Sequence, residues 1–357
     1  MLAKQNKKSI KAVDLFCGAG GLTYGLQQSG IDVLAGYDIE ATCKYAFEHN
    51  NNAVFHEKDV RQVSEYELKQ HFRGADYTLL AGCAPCQPFS TYSRSTKKSN
   101  IEDNRWNLLS SFGDLVSSVK PDFVTMENVP GLASEKVYSE FLTTLYNNEY
   151  SVDYSVVFCP DYGMAQTRKR LVLVASKISD IKLLAPTHNR STYSSVKDII
   201  KHLPELVAGE TCKKDPLHRA SALSNINLQR IQASLPGGTW LDWPEELRAS
   251  CHKRSSGATY PSVYGRMSWD DLAPTVTTQC NGYGNGRFGH PEQDRGISLR
   301  EAAMLQSFPE TYKFHSADLK LSIAALAKMI GNAVPVRLGE VVGESINQSL
   351  SKMHMSH

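Results

Sequence analysis

The chain has 357 residues, 41% hydrophobic and 21% charged, with a formal net charge of +2. That length exceeds what one hydrophobic core usually organises, so two domains are expected. The balance is that of an ordinary globular protein; it excludes neither an enzyme nor a nucleic-acid binder, because global charge says little about local patches.

In chain order, the first half alternates short apolar segments with helical ones. KAVDLF (11–16), DVLAGYDI (32–39), AVFHEKDV (53–60), YTLLAG (77–82), DFVTMEN (122–128) and RLVLVAS (170–176) read as strands, several apolar on both faces. GLTYGLQQSG, EATCKYAFEHN, WNLLSSFGDLVSSVK and VYSEFLTTLYNN carry apolar residues at helical spacing. This alternation predicts an α/β fold, a doubly wound, mostly parallel sheet with ligands at the carboxyl ends of its strands. From about residue 186 the texture turns polar and rich in Gly, Pro and Ser, as in LPGGTW, SSGATYPS and NGYGNGRFGHPEQDRG. A smaller irregular domain is expected there, after which SIAALAKMIGNAVPVRLGEVVGESINQSL returns to amphipathic helix. The expected boundaries are 1–185, 186–316 and 317–357, the last segment packing back on the first domain. No run of about 18 apolar residues occurs, so no membrane span is expected. The basic start is interrupted by Asp14 and reads as no export signal. The eight scattered cysteines then point to reduced thiols in a cytoplasmic setting.

Three strand ends carry acids or glycines. VDLFCGAGGLTYGL (13–26) ends a strand and opens a helix through Gly18, Gly20 and Gly21. Glycines allow close approach of a ligand, and a helix start offers unpaired N–H groups. GxGG is not the dinucleotide GxGxxG, so a nucleotide-like ligand and a structural turn both stay open. About 22 residues on, YDIE offers Asp38, with Glu40 as the alternative, to hydrogen-bond ribose hydroxyls. A third strand ends at Asp59.

GCAPCQPFS (82–90) holds Cys83 and Cys86 three apart, which suits a redox dithiol, half a zinc site, or one nucleophilic thiol. Zinc would need a second ligand pair, and there is no other CxxC and no HxxxH. A redox CxxC normally caps a helix that lowers its thiol pKa. Here Pro88 and a polar loop follow, with no helix expected before Trp106. Cys83 on its own reads as a small buried apolar residue.

Taken together and in order, DLFCGAGG, PCQPFS, ENVPG (127–131), QTRKR (166–170), PTVTT (274–278) and GNAVP (331–335) resemble the motifs of the cytosine C5 DNA methyltransferases. The resemblance runs nearly end to end. It implies a Rossmann-like fold that uses S-adenosyl-L-methionine without a metal, plus a target-recognition domain. It also implies a cytosine taken out of duplex DNA and attacked at C6 by a thiolate. By the Pro-Cys-Gln match that thiolate is Cys86, with Cys83 a bystander. Glu127 would contact N3 and the exocyclic amine, a contact in which the carboxyl or N3 carries a proton. Arg168 would orient the base or the thiol, and Arg170 would serve the same pocket or pair with an acid. The cofactor pocket would comprise Phe16, Gly18, Gly20, Gly21, Asp38, Ile39, Asp59 and Pro85, with Leu108 and Asn332 on its far side. Ala84 departs from the Pro or aromatic of many relatives. Ile39 replaces the aromatic that some place against adenine.

For DNA, the resemblance implies Gln87 and Ser90 beside the nucleophile and a loop over 88–105 whose Arg94, Lys97 and Lys98 meet phosphates. Arg254, Tyr260, Tyr264, Arg266 and Arg287 in the target region would contact bases or phosphates, Arg to guanine being the commonest specific pair. The Cys-Phe-Thr tripeptide of the family's RNA-acting branch is absent, which favours DNA over tRNA. A catalytically silent relative would be expected to lack the Cys or the Glu, and an oxidoreductase would need Cys83 as much as Cys86. The expectation is a monomeric bacterial modification enzyme, alone or with a partner nuclease, acting on double-stranded DNA.

Overall fold

The computed structural model describes residues 8–85, 102–254, 262–316 and 321–355, the side chains of 102–107 excepted. The chain divides into two compact units: Met1–Phe158, Lys169–Pro186 and Val334–His357 form the first, Cys159–Arg168 and Thr187–Ala333 the second.

The first unit is built on one seven-stranded sheet: β1 (Ile10–Leu15), β2 (Asp32–Asp38), β3 (Val54–Glu57), β4 (Tyr77–Gly82), β5 (Phe123–Asn128), β6 (Ser151–Phe158) and β7 (Lys169–Ser176). Their order is β3-β2-β1-β4-β5-β7-β6. Strands β1 to β5 run parallel, while β7 is antiparallel to both its neighbours. Winding reverses between β1 and β4, and the crevice at such a switch point is where open α/β sheets bind ligands. The six expected strands are all present. The seventh, β6, is an edge strand with Tyr154 and Val156 exposed, so its sequence lacks the apolar run that marks a buried parallel strand.

Helices cover both faces: α1 (Gly21–Gln28), α2 (Lys44–Asn50), α3 (Glu65–His71), α4 (Glu102–Val119), α5 (Lys136–Asn147) and α10 (Val336–Met355). Phe112 and Val116 of α4 and Phe141 and Leu145 of α5 join Leu15, Leu80, Val124 and Leu173 in the main core. Fully burying a side chain such as Phe112 contributes about 2 kcal/mol. Helix α3, not anticipated from apolar spacing, buries only Leu68 and depends on its ends: Ser64 caps the Glu67 N–H, acids fill its first turn, and Lys69 and His71 its last. Helices α1 and α10 meet backbone to backbone, because a Cβ on Gly25 would stand 2.2 Å from the Val336 carbonyl oxygen.

The second unit holds α6 (Val196–Ile200), α7 (Asn225–Gln232), α8 (Leu299–Leu305) and α9 (Ile323–Asn332), with only isolated bridges in place of strands among the described residues. Polar groups organise much of its interior. Arg295 forks onto Glu301 at 2.7 and 2.8 Å, Ser298 and Glu301 form a capping box on α8, and Arg300 grips Asp215. Buried ions are tolerable when paired and hydrogen-bonded this way. His290 lies beside this group, and burial pushes its pKa down to about 4.

Candidate active site

Register alone assembles the site at the carboxyl edge of the sheet. Leu15 pairs with Gly82 and Gly82 with Met126, so the next row places Phe16, Cys83 and Glu127 side by side. Leu15 also pairs with Tyr37, which brings Asp38 to the same level. Glu127 lies opposite Val172 on β7, and Arg170, two residues away on the same face of that strand, is its diagonal neighbour.

Glu127 is 6% exposed. Its Oε1 lies 2.9 Å from Arg170 Nε, an ion pair without hydrogen-bond alignment, and its Oε2 accepts a hydrogen bond from Cys83 Sγ at 3.1 Å. Cys83, expected as a small buried apolar residue, is half-buried and polar in its contacts. Asn128 donates from Nδ2 to the Ala84 carbonyl at 3.0 Å and accepts from the Val129 N–H at 2.7 Å. One buried amide thus ties the end of β5 to the turn leaving β4. Pro85, the last residue described before Cys86, is exposed.

On the other side of the switch point the backbone is strained. Phe16 adopts φ 59°, unusual for a residue with a Cβ, and Gly18 and Gly20 adopt φ 50° and 88°. Asp38 holds this turn by accepting from the Gly18 N–H at 2.8 Å and the Glu40 N–H at 2.9 Å. The Ile39 N–H also bonds to it, so of a carboxylate's roughly four acceptor positions about one stays available. Burial raises the Asp38 pKa, opposed by those same N–H groups. Ile39 beside it is 71% exposed, a large apolar side chain at the mouth of the crevice. Beneath the turn Asp14 is fully enclosed; it accepts from Thr23 Oγ1 at 2.7 Å, and burial raises its pKa to about 7. Asp59 caps a 3₁₀ turn and is engaged by Arg61, whose guanidinium lowers its pKa. Leu108 is partly buried on α4.

In the second unit, the QTRKR, PTVTT and GNAVP segments interlock. Gln166 donates to the Leu305 carbonyl and Gln306, and accepts from the Val276 N–H. Arg168 is buried and donates to the Val276 carbonyl at 3.0 Å and to those of Gly331 and Ala333 at 3.5 Å. Its guanidinium, expected at the base or thiol, serves as a clasp between two chain segments. Asn332, at the end of α9, is exposed.

A C-5 cytosine-specific DNA methylase family model matches residues 10–348. The chain belongs to that family. The Type II methylase M.HgiDII of Herpetosiphon aurantiacus is 51% identical over 345 residues, covering 96% of each chain. The Type II methyltransferase M1.BsuMI of Bacillus subtilis is 30% identical, covering 93% of this chain and 79% of its own. Among solved structures, a prophage-encoded E. coli chain described as a DNA modification methyltransferase superposes with a TM-score of 0.73 at 23% identity, over 96% of this chain and all of that one. That likeness bears on the fold, which is the Rossmann-like methyltransferase sheet. This protein is a DNA (cytosine-5-)-methyltransferase of the Type II modification kind.

Within this methylase the expected DNA-contacting residues separate. Arg266 is 6% exposed and its guanidinium is committed to the Ile231 and Glu292 carbonyls and to Asp294. It braces the second unit, and the expectation of a DNA contact there is corrected. Tyr264, with φ 54°, packs edge-on against Trp243 and Tyr283 while the Arg230 guanidinium lies 5.3 Å from its ring centre, so it too serves packing. Arg254 is exposed. Arg287 is half-buried with an Nε that has no hydrogen-bond partner. Cys86, Gln87, Ser90, Arg94, Lys97, Lys98 and Tyr260 lie outside the described residues. No helix among the described residues is long and apolar enough to cross a membrane, and no group of three or more His, Cys, Asp or Glu there is placed to hold a metal ion.

Proposed function

We propose that this methyltransferase transfers a methyl group from S-adenosyl-L-methionine to C5 of a flipped-out cytosine through a covalent bond between Cys86 and C6. The observation that carries the reading is the row at the sheet's carboxyl edge: a buried carboxylate, Glu127, held by two side chains and level with Cys83, two residues before the start of the Pro-Cys-Gln segment. The crevice beside it fits a nucleoside. Asp38 retains acceptor capacity for ribose hydroxyls, Ile39 offers an apolar surface for a base, and Gly20 at the N-cap of α1 leaves the helix's first N–H groups without a side-chain cap. Phe16, Gly18, Gly21, Pro85 and Leu108 complete the proposed pocket. Asp59, already engaged by Arg61, contributes an acceptor edge.

When bound, the cofactor supplies an electrophilic methyl on a sulfonium sulfur. Cys86 adds to C6 of cytosine and pushes electron density onto C5. Glu127 meets the charge that develops on the ring at N3, the two sharing one proton, and accepts from the exocyclic amine. Transfer of the methyl to C5 would leave S-adenosyl-L-homocysteine; loss of the C5 proton to solvent and cleavage of the Cys86–C6 bond then restore the aromatic ring and the thiolate. Arg170 acts through Glu127, and Arg168 through the segments it clasps, so both are positioning residues.

The target base must leave the stack, because C6 is inaccessible inside a duplex. Arg94, Lys97 and Lys98 would meet phosphates, and Arg287 and Arg254 are the arginines of the second unit that we assign to DNA. A cytoplasmic monomer whose partner is a nuclease of the same specificity fits the likeness to Type II enzymes. The tRNA alternative is not favoured by those relatives. Duplex DNA carrying 5-fluorocytosine tests the covalent step, because fluorine at C5 blocks the final elimination. A denaturant-stable protein–DNA complex should form with the wild type and Cys83→Ala but not with Cys86→Ala; trapping by Cys86→Ala would overturn the assignment.

A further inference from the structure

The sulfur of Cys83 occupies a place that the reaction as proposed does not use. It sits one row beyond the Gly82–Met126 pair, level with Glu127, and donates to Oε2 at 3.1 Å while Arg170 engages Oε1. Its backbone is fixed from two directions. The Cys83 N–H donates to the Leu15 carbonyl at 3.2 Å, and the next carbonyl, of Ala84, is held by Asn128. Gly82 just before it is packed so closely that a Cβ would stand 3.1 Å from the Phe112 ring. The thiol is therefore presented from a strand end whose position is set on both sides. A hydrogen bond to an ionised acceptor is stronger than a neutral one, which offsets the weakness of S–H as a donor.

We propose that Cys83 is a positioning residue for the methyl-transfer reaction. Its S–H and the Arg170 guanidinium together fix the plane of the Glu127 carboxylate, so that this group meets the N3 edge of cytosine without first reorienting. A lone ion pair to Oε1 leaves the carboxylate free to rotate about its last side-chain bond. A second donor on Oε2 removes that freedom, and such preorganisation matters where charge develops in the transition state. The inference rests on the reading of Glu127 given above.

The experiment compares Cys83→Ala, Cys83→Ser and Glu127→Gln with the wild type in steady-state methyl transfer to duplex DNA, with thermal unfolding of each variant. Cys83→Ala should lower kcat about tenfold, the weight of one hydrogen bond to a charged group, with KM for DNA and KM for S-adenosyl-L-methionine within about twofold. Cys83→Ser keeps a donor and should recover most of that loss. Wild-type kcat in Cys83→Ala would overturn the proposal. So would an equal loss in the Ser and Ala variants, because packing and not donation would then be at work. Glu127→Gln separates the two claims: full activity in that variant would remove the role of Glu127 itself, whatever the Cys83 variants do.

Discussion

Replacing Asp14 by Asn should change how stability depends on pH. Asp14 is the second-last residue of its strand, two rows before Phe16, shut off from solvent, with one oxygen accepting from Thr23 and Oδ1 without a hydrogen bond. Burial, with a smaller contribution from Asp38, raises its pKa from 3.8 to about 7. Between those values the folded protein keeps a proton that the unfolded chain has released. Stability therefore falls as pH rises from about 4 to 7, and the penalty stays at full size above that range. At about 1.36 kcal/mol per unit, a rise of this size amounts to about 4 kcal/mol. Asn has the same shape, keeps an acceptor for Thr23, and carries no charge at any pH. Urea unfolding followed by far-ultraviolet circular dichroism between pH 4.5 and 8.5 measures the effect. Asp14→Asn should exceed the wild type by about 1 kcal/mol at pH 4.5 and by up to about 4 kcal/mol at pH 8. Parallel curves across the range would refute the reasoning.

Gly331→Ala puts a Cβ 2.3 Å from the Thr277 carbonyl carbon, where only backbone is available to yield, and should destabilise the second unit by about 3 kcal/mol in the same unfolding assay. Gly25→Ala, 2.2 Å from the Val336 carbonyl oxygen, should act likewise on the first unit and lower the midpoint of thermal unfolding by several degrees. Arg266→Met should cost about 3 kcal/mol of stability by leaving Asp294 and two carbonyls without their donor. Arg287→Ala should leave unfolding unchanged and weaken binding of cognate DNA about tenfold or more in a fluorescence anisotropy titration at fixed salt.

How much of this was legible beforehand depended on the range over which the information is spread. Strands β1, β2, β4, β5 and β7 announce themselves as apolar runs because most of their side chains are buried, while β3, at the other edge with Val54 exposed, is only four residues long. Strand β6 does not, since at the edge Tyr154 and Val156 stay in solvent. Helix α4 starts at Glu102, ahead of the apolar spacing that pointed to Trp106, because its first turn is polar. The Asp38 carboxylate was readable from a strand-end acid after a glycine turn. The Cys83–Glu127 bond was not, because the partners are 44 residues apart and only the strand register makes them neighbours. Charge alone misled at Arg266, which looks like Arg287 in sequence. Nothing local reveals that Asp294, the Ile231 carbonyl and the Glu292 carbonyl converge on it. Arg168 belongs with it: its guanidinium clasps carbonyls of segments more than 100 residues away in sequence, which no local pattern reveals.

The central claim is that the chain methylates carbon 5 of cytosine in DNA with Cys86 as the nucleophile. Purified protein should be incubated with methyl-labelled S-adenosyl-L-methionine and either unmethylated genomic DNA or tRNA, and the nucleosides resolved by mass spectrometry. Labelled 5-methyldeoxycytidine is expected from DNA with the wild type, none with Cys86→Ala, and no label in tRNA. Label in tRNA alone, or undiminished 5-methyldeoxycytidine with Cys86→Ala, would contradict that claim.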